Sequence, residues 1–78
     1  MELCIKEMTI QLQVYNPEKR ISYVDNNSEM NIRWMTADEV LRLEQDEVVN
    51  VIEMREYPDK IIIVIDPADY DRVAGEVF

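Results

Sequence analysis

Any side-chain chemistry in this sequence would have to come from carboxylates, because it carries 17 Asp and Glu residues, no histidine and one cysteine. Without histidine the commonest general base is missing, and with it the Ser–His and Cys–His nucleophile pairs and the usual nitrogen ligand of zinc. Cys4 has nothing of that kind to activate it and reads as a small apolar side chain near the start of the first strand. Gly75 is the sole glycine, so neither a phosphate-cradling P-loop nor a dinucleotide-binding turn can be built, and no cofactor is expected.

Carboxylates in pairs can act as acid and base or bind hard cations, and two clusters merit weighing. Asp25-Asn26-Asn27-Ser28-Glu29 has the acid-and-amide texture of a calcium loop, but it lacks the glycine such loops need at the sixth position and the glutamate at the twelfth, which here is Thr36. It reads instead as a polar turn. Asp66, Asp69 and Asp71 crowd one helix start, where a cap and acids at the positive end of a helix dipole account for most of the clustering. No metal site is assigned to either. An enzyme working with carboxylates and tyrosines alone is the least favoured reading.

The elements that would position these groups follow from hydrophobic periodicity. Met8, Ile10, Leu12 and Val14 alternate with Thr9, Gln11 and Gln13, which predicts a half-buried strand over 8–14. Asn16-Pro17-Glu18-Lys19 reads as a turn. A second strand returns through Ile21, Tyr23 and Val24, Asp25 to Ser28 turn the chain again, and Met30, Ile32 and Trp34 suggest a third strand. Thr36 and Glu39 have the spacing of a capping box, so a helix should begin there, with Ala37, Val40, Leu41 and Leu43 inward and Asp38, Glu39, Arg42 and Asp46 outward. Val48 to Glu56 fits either helix or strand. The proline turn Tyr57-Pro58-Asp59-Lys60, placed directly before the apolar run Ile61 to Ile65, decides for a strand because that run needs a hairpin partner. Five consecutive branched residues imply a central strand covered on both faces. Asp66 and Pro67 then open a last helix whose inner stripe is Tyr70, Val73, Ala74 and Val77. The expectation is a single α+β domain over 1–78, an antiparallel sheet of about five strands in the chain order β-β-β-α-β-β-α with two short amphipathic helices.

The longest apolar run is far shorter than the roughly 20 residues a membrane-spanning helix needs, and Met1 to Met8, interrupted by Glu2 and Glu7, does not have the form of a secretory signal. With one cysteine, a cytoplasmic setting is expected. The net charge is −9 and it is lopsided: residues 1–36 hold five acids and four bases, whereas residues 37–78 hold twelve acids and four bases. Direct contact with nucleic acid or an anionic membrane is disfavoured, since phosphate recognition needs clustered Lys and Arg. The aromatic residues Tyr15, Tyr23, Trp34, Tyr57, Tyr70 and Phe78 therefore read as core or interface packing and not as a base-stacking surface.

A folded scaffold with this field would instead be drawn to a basic surface on another protein, and carboxylates spaced on helix faces can stand in for phosphates. In size, charge and mixed α+β character the chain resembles small acidic phage-encoded inhibitors, including anti-CRISPR proteins and other DNA mimics; no motif carries the resemblance. It implies a non-catalytic inhibitor that occupies a basic, nucleic-acid-binding surface of a partner protein, with Asp38, Glu39, Asp46, Glu47, Asp69, Asp71 and Glu76 as electrostatic contacts. The alternative is a homo-oligomeric scaffold or accessory subunit, such as a homodimer, in which a second copy covers the central strand and acidity serves only solubility.

Overall fold

A computed structural model of the chain describes residues 1–18, 21–26 and 33–75. Its elements are β1 (Glu2–Cys4), α1 (Ile5–Tyr15), β2 (Tyr23–Asp25), α2 (Ala37–Val40), β3 (Val48–Glu56), β4 (Ile61–Ile65) and α3 (Pro67–Gly75). The α+β class is as expected, but among the described residues the sheet has four strands in the order β1-β3-β4-β2 and is mixed, and there are three helices. β1 and β4 run antiparallel to β3, while β2 runs parallel to β4.

The main correction lies at the N-terminus, where the strand expected over 8–14 is α1. Its buried residues are Ile5, Met8, Thr9 and Leu12, the i, i+3, i+4, i+7 stripe of an amphipathic helix. The alternating pattern misled because a polar residue, Thr9, takes a buried place and two apolar ones do not: Ile10 is 51% and Val14 67% exposed. Thr9 can be buried because its hydroxyl donates to Gln45 Oε1 at 3.0 Å. Asn16 closes α1, its N–H donating to the Leu12 carbonyl at 3.0 Å, and Pro17 and Glu18 turn the chain.

The expected meander is therefore absent as such. β2 forms where the second strand was expected, but it adds to the far side of β4 in parallel instead of returning along a first strand. Of the expected third strand, Met30 and Ile32 lie outside the described residues, and Arg33 and Trp34 are irregular. The capping box is present in both directions, with Glu39 N–H donating to Thr36 Oγ1 and Thr36 N–H to Glu39 Oε1. Yet the helix it opens is a single turn of four residues, and Leu41, expected inward, is 46% exposed.

β3, β4 and α3 form where expected, with Val77 of the last helix's expected stripe lying outside the described residues. β3 and β4 make a hairpin closed at Tyr57–Lys60, where the Tyr57 N–H donates to the Lys60 carbonyl at 2.9 Å. Directly paired residues share a face of the sheet. Val51, Met54, Ile61, Ile63 and Ile65, with Val24 of β2, thus face the main core, which Ile5, Met8 and Leu12 of α1 and Tyr70 and Val73 of α3 complete. On the opposite face Ile62 and Val64 lie beside Arg55, Glu53, Tyr23 and Asp25 and are still only 6% and 0% exposed. A single copy of the chain therefore buries the central strand on both faces, and no second copy is required for that purpose. α3 opens with Asp66 as N-cap, its Oδ1 accepting from the Ala68 N–H at 2.9 Å. No helix among the described residues is long and apolar enough to cross a membrane.

Candidate functional site

The acidic residues fall into two structural settings. The first is the segment from α2 to the start of β3, residues 38–47, which holds five acids and one base, Arg42, for a net of −4. After its single turn of helix this segment continues in backbone turns, the N–H groups of Arg42, Leu43 and Glu47 donating to the carbonyls of Glu39, Val40 and Glu44, and Gln45 braces it further. Gln45 Nε2 lies within hydrogen-bond distance of the carbonyls of Val40 (3.1 Å), Leu41 (3.4 Å) and Leu43 (2.9 Å), while its Oε1 accepts from Thr9. The backbone here also closes the open end of α1: the Ile5 N–H donates to the Glu47 carbonyl at 2.8 Å and the Lys6 N–H to the Gln45 carbonyl at 3.0 Å. Cys4 Sγ donates to that same Gln45 carbonyl at 3.0 Å. Helix amides that would otherwise lack partners are thus satisfied by the turn that carries the acids. Asp38, Glu44 and Asp46 project from it into solvent, and among the described residues no Lys or Arg pairs with them.

The second setting is the junction of α3 with β3. Arg72 Nη1 meets Glu47 Oε2 at 2.6 Å, and Arg72 Nη2 meets Asp69 Oδ1 at 3.3 Å and the Val48 carbonyl at 2.9 Å. Asp69 Oδ2 accepts from the Asn50 N–H at 2.9 Å, and the Asp66 N–H donates to the Asn50 carbonyl at 2.9 Å. These bonds lay α3 alongside the first half of β3. Hydrogen bonds to Glu47 and then Asp69 raise the Arg72 pKa above its ordinary value. Asp71 pairs with Arg33 at 2.5 Å, tying α3 to the segment before α2.

Of the seven residues singled out from the sequence, Asp38 and Asp46 are exposed acids of the first segment, and Glu39 is half-buried and occupied by the capping box. Glu47, Asp69 and Asp71 are held in arginine pairs, and Glu76 lies outside the described residues. The carboxylates beyond Thr36 are therefore not one continuous negative patch: Arg72 and Arg33 interrupt it, and a helix of four residues cannot present a row of acids. Glu44 is an exposed acid of the same segment that periodicity passed over, since a helix continued through 46 would turn it away from the face of Asp38 and Asp46, and the helix ends at Val40 instead.

The Asp25 cluster is also redistributed. Asp25 is buried at the end of β2 with Arg55 Nη1 3.7 Å from its Oδ2, and Asn26 Oδ1 accepts from the Arg33 N–H at 3.3 Å. Asn27, Ser28 and Glu29 lie outside the described residues. Among the described residues no three His, Cys, Asp or Glu side chains converge to hold a metal ion. The aromatic residues divide as well: Tyr70 is in the core, where burial and then the charge of Glu39 raise its pKa, whereas Trp34 sits edge-on to Tyr23 at 4.4 Å and Lys60 Nζ lies over the rings of Tyr23 and Tyr57 at 5.7 and 5.5 Å. Comparison with protein-family models, curated proteins and solved structures finds no match to this chain.

Proposed function

We propose that this chain is a non-catalytic protein-binding protein that occupies a basic, nucleic-acid-binding surface of a partner and inhibits it, in the manner of anti-CRISPR-like phage proteins and DNA mimics. The observation that carries the reading is the acidic segment 38–46, which Gln45 braces and which presents Asp38, Glu44 and Asp46 to solvent with no cationic partner among the described residues. Carboxylates fixed in place lose little freedom on binding, and a local excess of negative charge accelerates encounter with a positive groove. Glu47, Asp69 and Asp71 contribute to the field but serve first to hold α3.

The test is capture from cell extract on the immobilised chain. Nucleic-acid-binding proteins should be retained at low salt, lost at about 0.5 M salt, where screening is nearly complete beyond a few ångströms, and lost when Glu44 and Asp46 are both changed to Lys. Equal capture by that variant would dispose of the proposal.

A second reading, self-association, is favoured by the exposed apolar face of α1, where Ile10 and Val14 are neighbours at i, i+4 and Tyr15 adjoins them. Sedimentation decides it, since a monomer at micromolar concentration excludes an obligate oligomer.

A further inference from the structure

β1 covers only the first part of its neighbour in the sheet. It pairs with Val48, Val49 and Asn50 of β3, and Met1 exchanges bonds with Val51, its carbonyl accepting from the Val51 N–H and its ammonium donating to the Val51 carbonyl. β3 runs on to Glu56, and beyond Val51 no strand among the described residues lies on that side of it. The hairpin fixes where the backbone groups point there. The Tyr57 N–H donates to the Lys60 carbonyl, so Tyr57, Arg55 and Glu53 turn their N–H and C=O toward β4, while Met54 and Glu56 turn theirs away from it. This stretch is thus an open sheet edge in line with β1, a template for one more strand. The exposed apolar side chains of Met1, Ile52 and Tyr57 border it, and Glu56 is an exposed acid with no cationic partner among the described residues.

A second copy of the chain does not fit this edge. Two β3 strands related by a two-fold axis pair antiparallel, and residues opposite one another must both turn their backbone groups toward the axis or both away, so the pairing centres on a single residue. Centred on Met54, it brings the second copy's Tyr57 opposite Val51, where Met1 already sits. Centred on Arg55 or Glu56, it sets like charges directly opposite one another, which destabilises a ladder. Centres nearer Asn50 meet β1. The net charge of −9 on each copy adds repulsion. The edge suits a strand of different composition. Met54 and Glu56 lie on one face of the sheet, paired with Ile63 and Ile61 of β4, so a matching strand carries a basic residue beside Glu56 and an apolar residue beside Met54, two positions apart. We infer that the open edge of β3 takes up an extended basic segment of the partner protein as an added strand antiparallel to β3. The inference rests on the proposed binding of a basic protein surface and adds the mode of docking, strand addition.

The test is a nitrogen–proton NMR titration of the whole chain, with amide exchange, against the peptide acetyl-Thr-Lys-Thr-Val-Thr-amide. Two comparison peptides carry Glu in place of Lys, or methyl groups on the Lys and Val backbone nitrogens. At saturation the lysine peptide should slow exchange at Met54 and Glu56 at least about tenfold and leave Arg55, whose N–H turns toward β4, unchanged. It should bind at least about fivefold more tightly than the glutamate peptide, and the methylated peptide should protect neither amide. Glu56→Pro removes an outward N–H at an edge position that tolerates proline and should abolish binding; Glu56→Gln should weaken it about fivefold. Binding that leaves Met54 and Glu56 unprotected overturns the inference, as does equal binding of either comparison peptide. Protection that grows with chain concentration in the absence of peptide also overturns it, by assigning the edge to a second copy. Both variants keep Glu44 and Asp46. Salt-sensitive capture that survives Glu56→Pro while the lysine peptide fails to bind refutes the edge alone, whereas peptide protection without any capture refutes the wider reading.

Discussion

Glu47 and Asp71 each face an arginine contributed by another part of the chain and Asp69 one from its own helix, whereas Asp38, Glu44 and Asp46 are exposed and have no cationic partner among the described residues. In the first region charge is spent on tertiary structure: Arg72 links α3 to the start of β3 through Glu47 and the Val48 carbonyl, and Asp69 adds a bond from the Asn50 N–H. In the second the backbone is held by its own turns and by a neutral side chain, Gln45, and Asp38, Glu44 and Asp46 are left out of the folding contacts. The contrast teaches that an acidic excess does not by itself identify a binding surface; what distinguishes one is negative charge that the fold does not use.

The contrast can be broken most severely at its neutral clamp. Gln45→Ala removes the bonds to three carbonyls and strands the Thr9 hydroxyl, which should cost about 2 kcal/mol in urea unfolding, with amide exchange accelerated across residues 40–47. Unchanged exchange there would show that the segment is ordered by something else. Arg72→Ala should cost less, about 1 kcal/mol, because the guanidinium and its partners are partly exposed and water screens the pairs; its effect should shrink in high salt. Glu44→Gln with Asp46→Asn should leave unfolding within about 0.5 kcal/mol of the parent chain, as expected of side chains without partners. A loss as large as that of Arg72→Ala would erase the distinction between the regions.

Because the Tyr70 pKa is raised in the folded chain above its ordinary value of 10.0, its contribution to stability is intact below that pH and is lost as pH rises through the folded value, since the unfolded chain releases the proton first. Tyr70→Phe should flatten that alkaline decline in thermal unfolding, and an identical slope would place the titration elsewhere.

Much of the C-terminal half was legible because its signals are local. A proline turn beside an uninterrupted apolar run, the Asp66-Pro67 helix start and the Thr36–Glu39 capping box are each fixed by neighbours within a few residues. The N-terminal half was not. In α1 the pattern admits periods of 2 and 3.6, and the choice depends on whether Thr9 can be buried, which depends on Gln45 far along the chain. The parallel pairing of β2 with β4 is likewise set by the path of the chain and by no feature of Tyr23-Val24-Asp25 itself. The candidate site was half legible for the same reason: the excess of acids can be counted, but their division into used and unused depends on Arg33 and Arg72 meeting distant partners.

That order of strands also bears on how the chain reaches its native state. Only the β3–β4 ladder joins segments separated by a short turn; β1 must bring Leu3 to Val49, and β2 must bring Val24 to Ile63. Closing such long loops costs entropy before any contact rewards it. The hairpin is thus the part of the sheet whose closure costs least, and the acidic turn and the start of α1 complete one another through the bonds from Ile5 and Lys6.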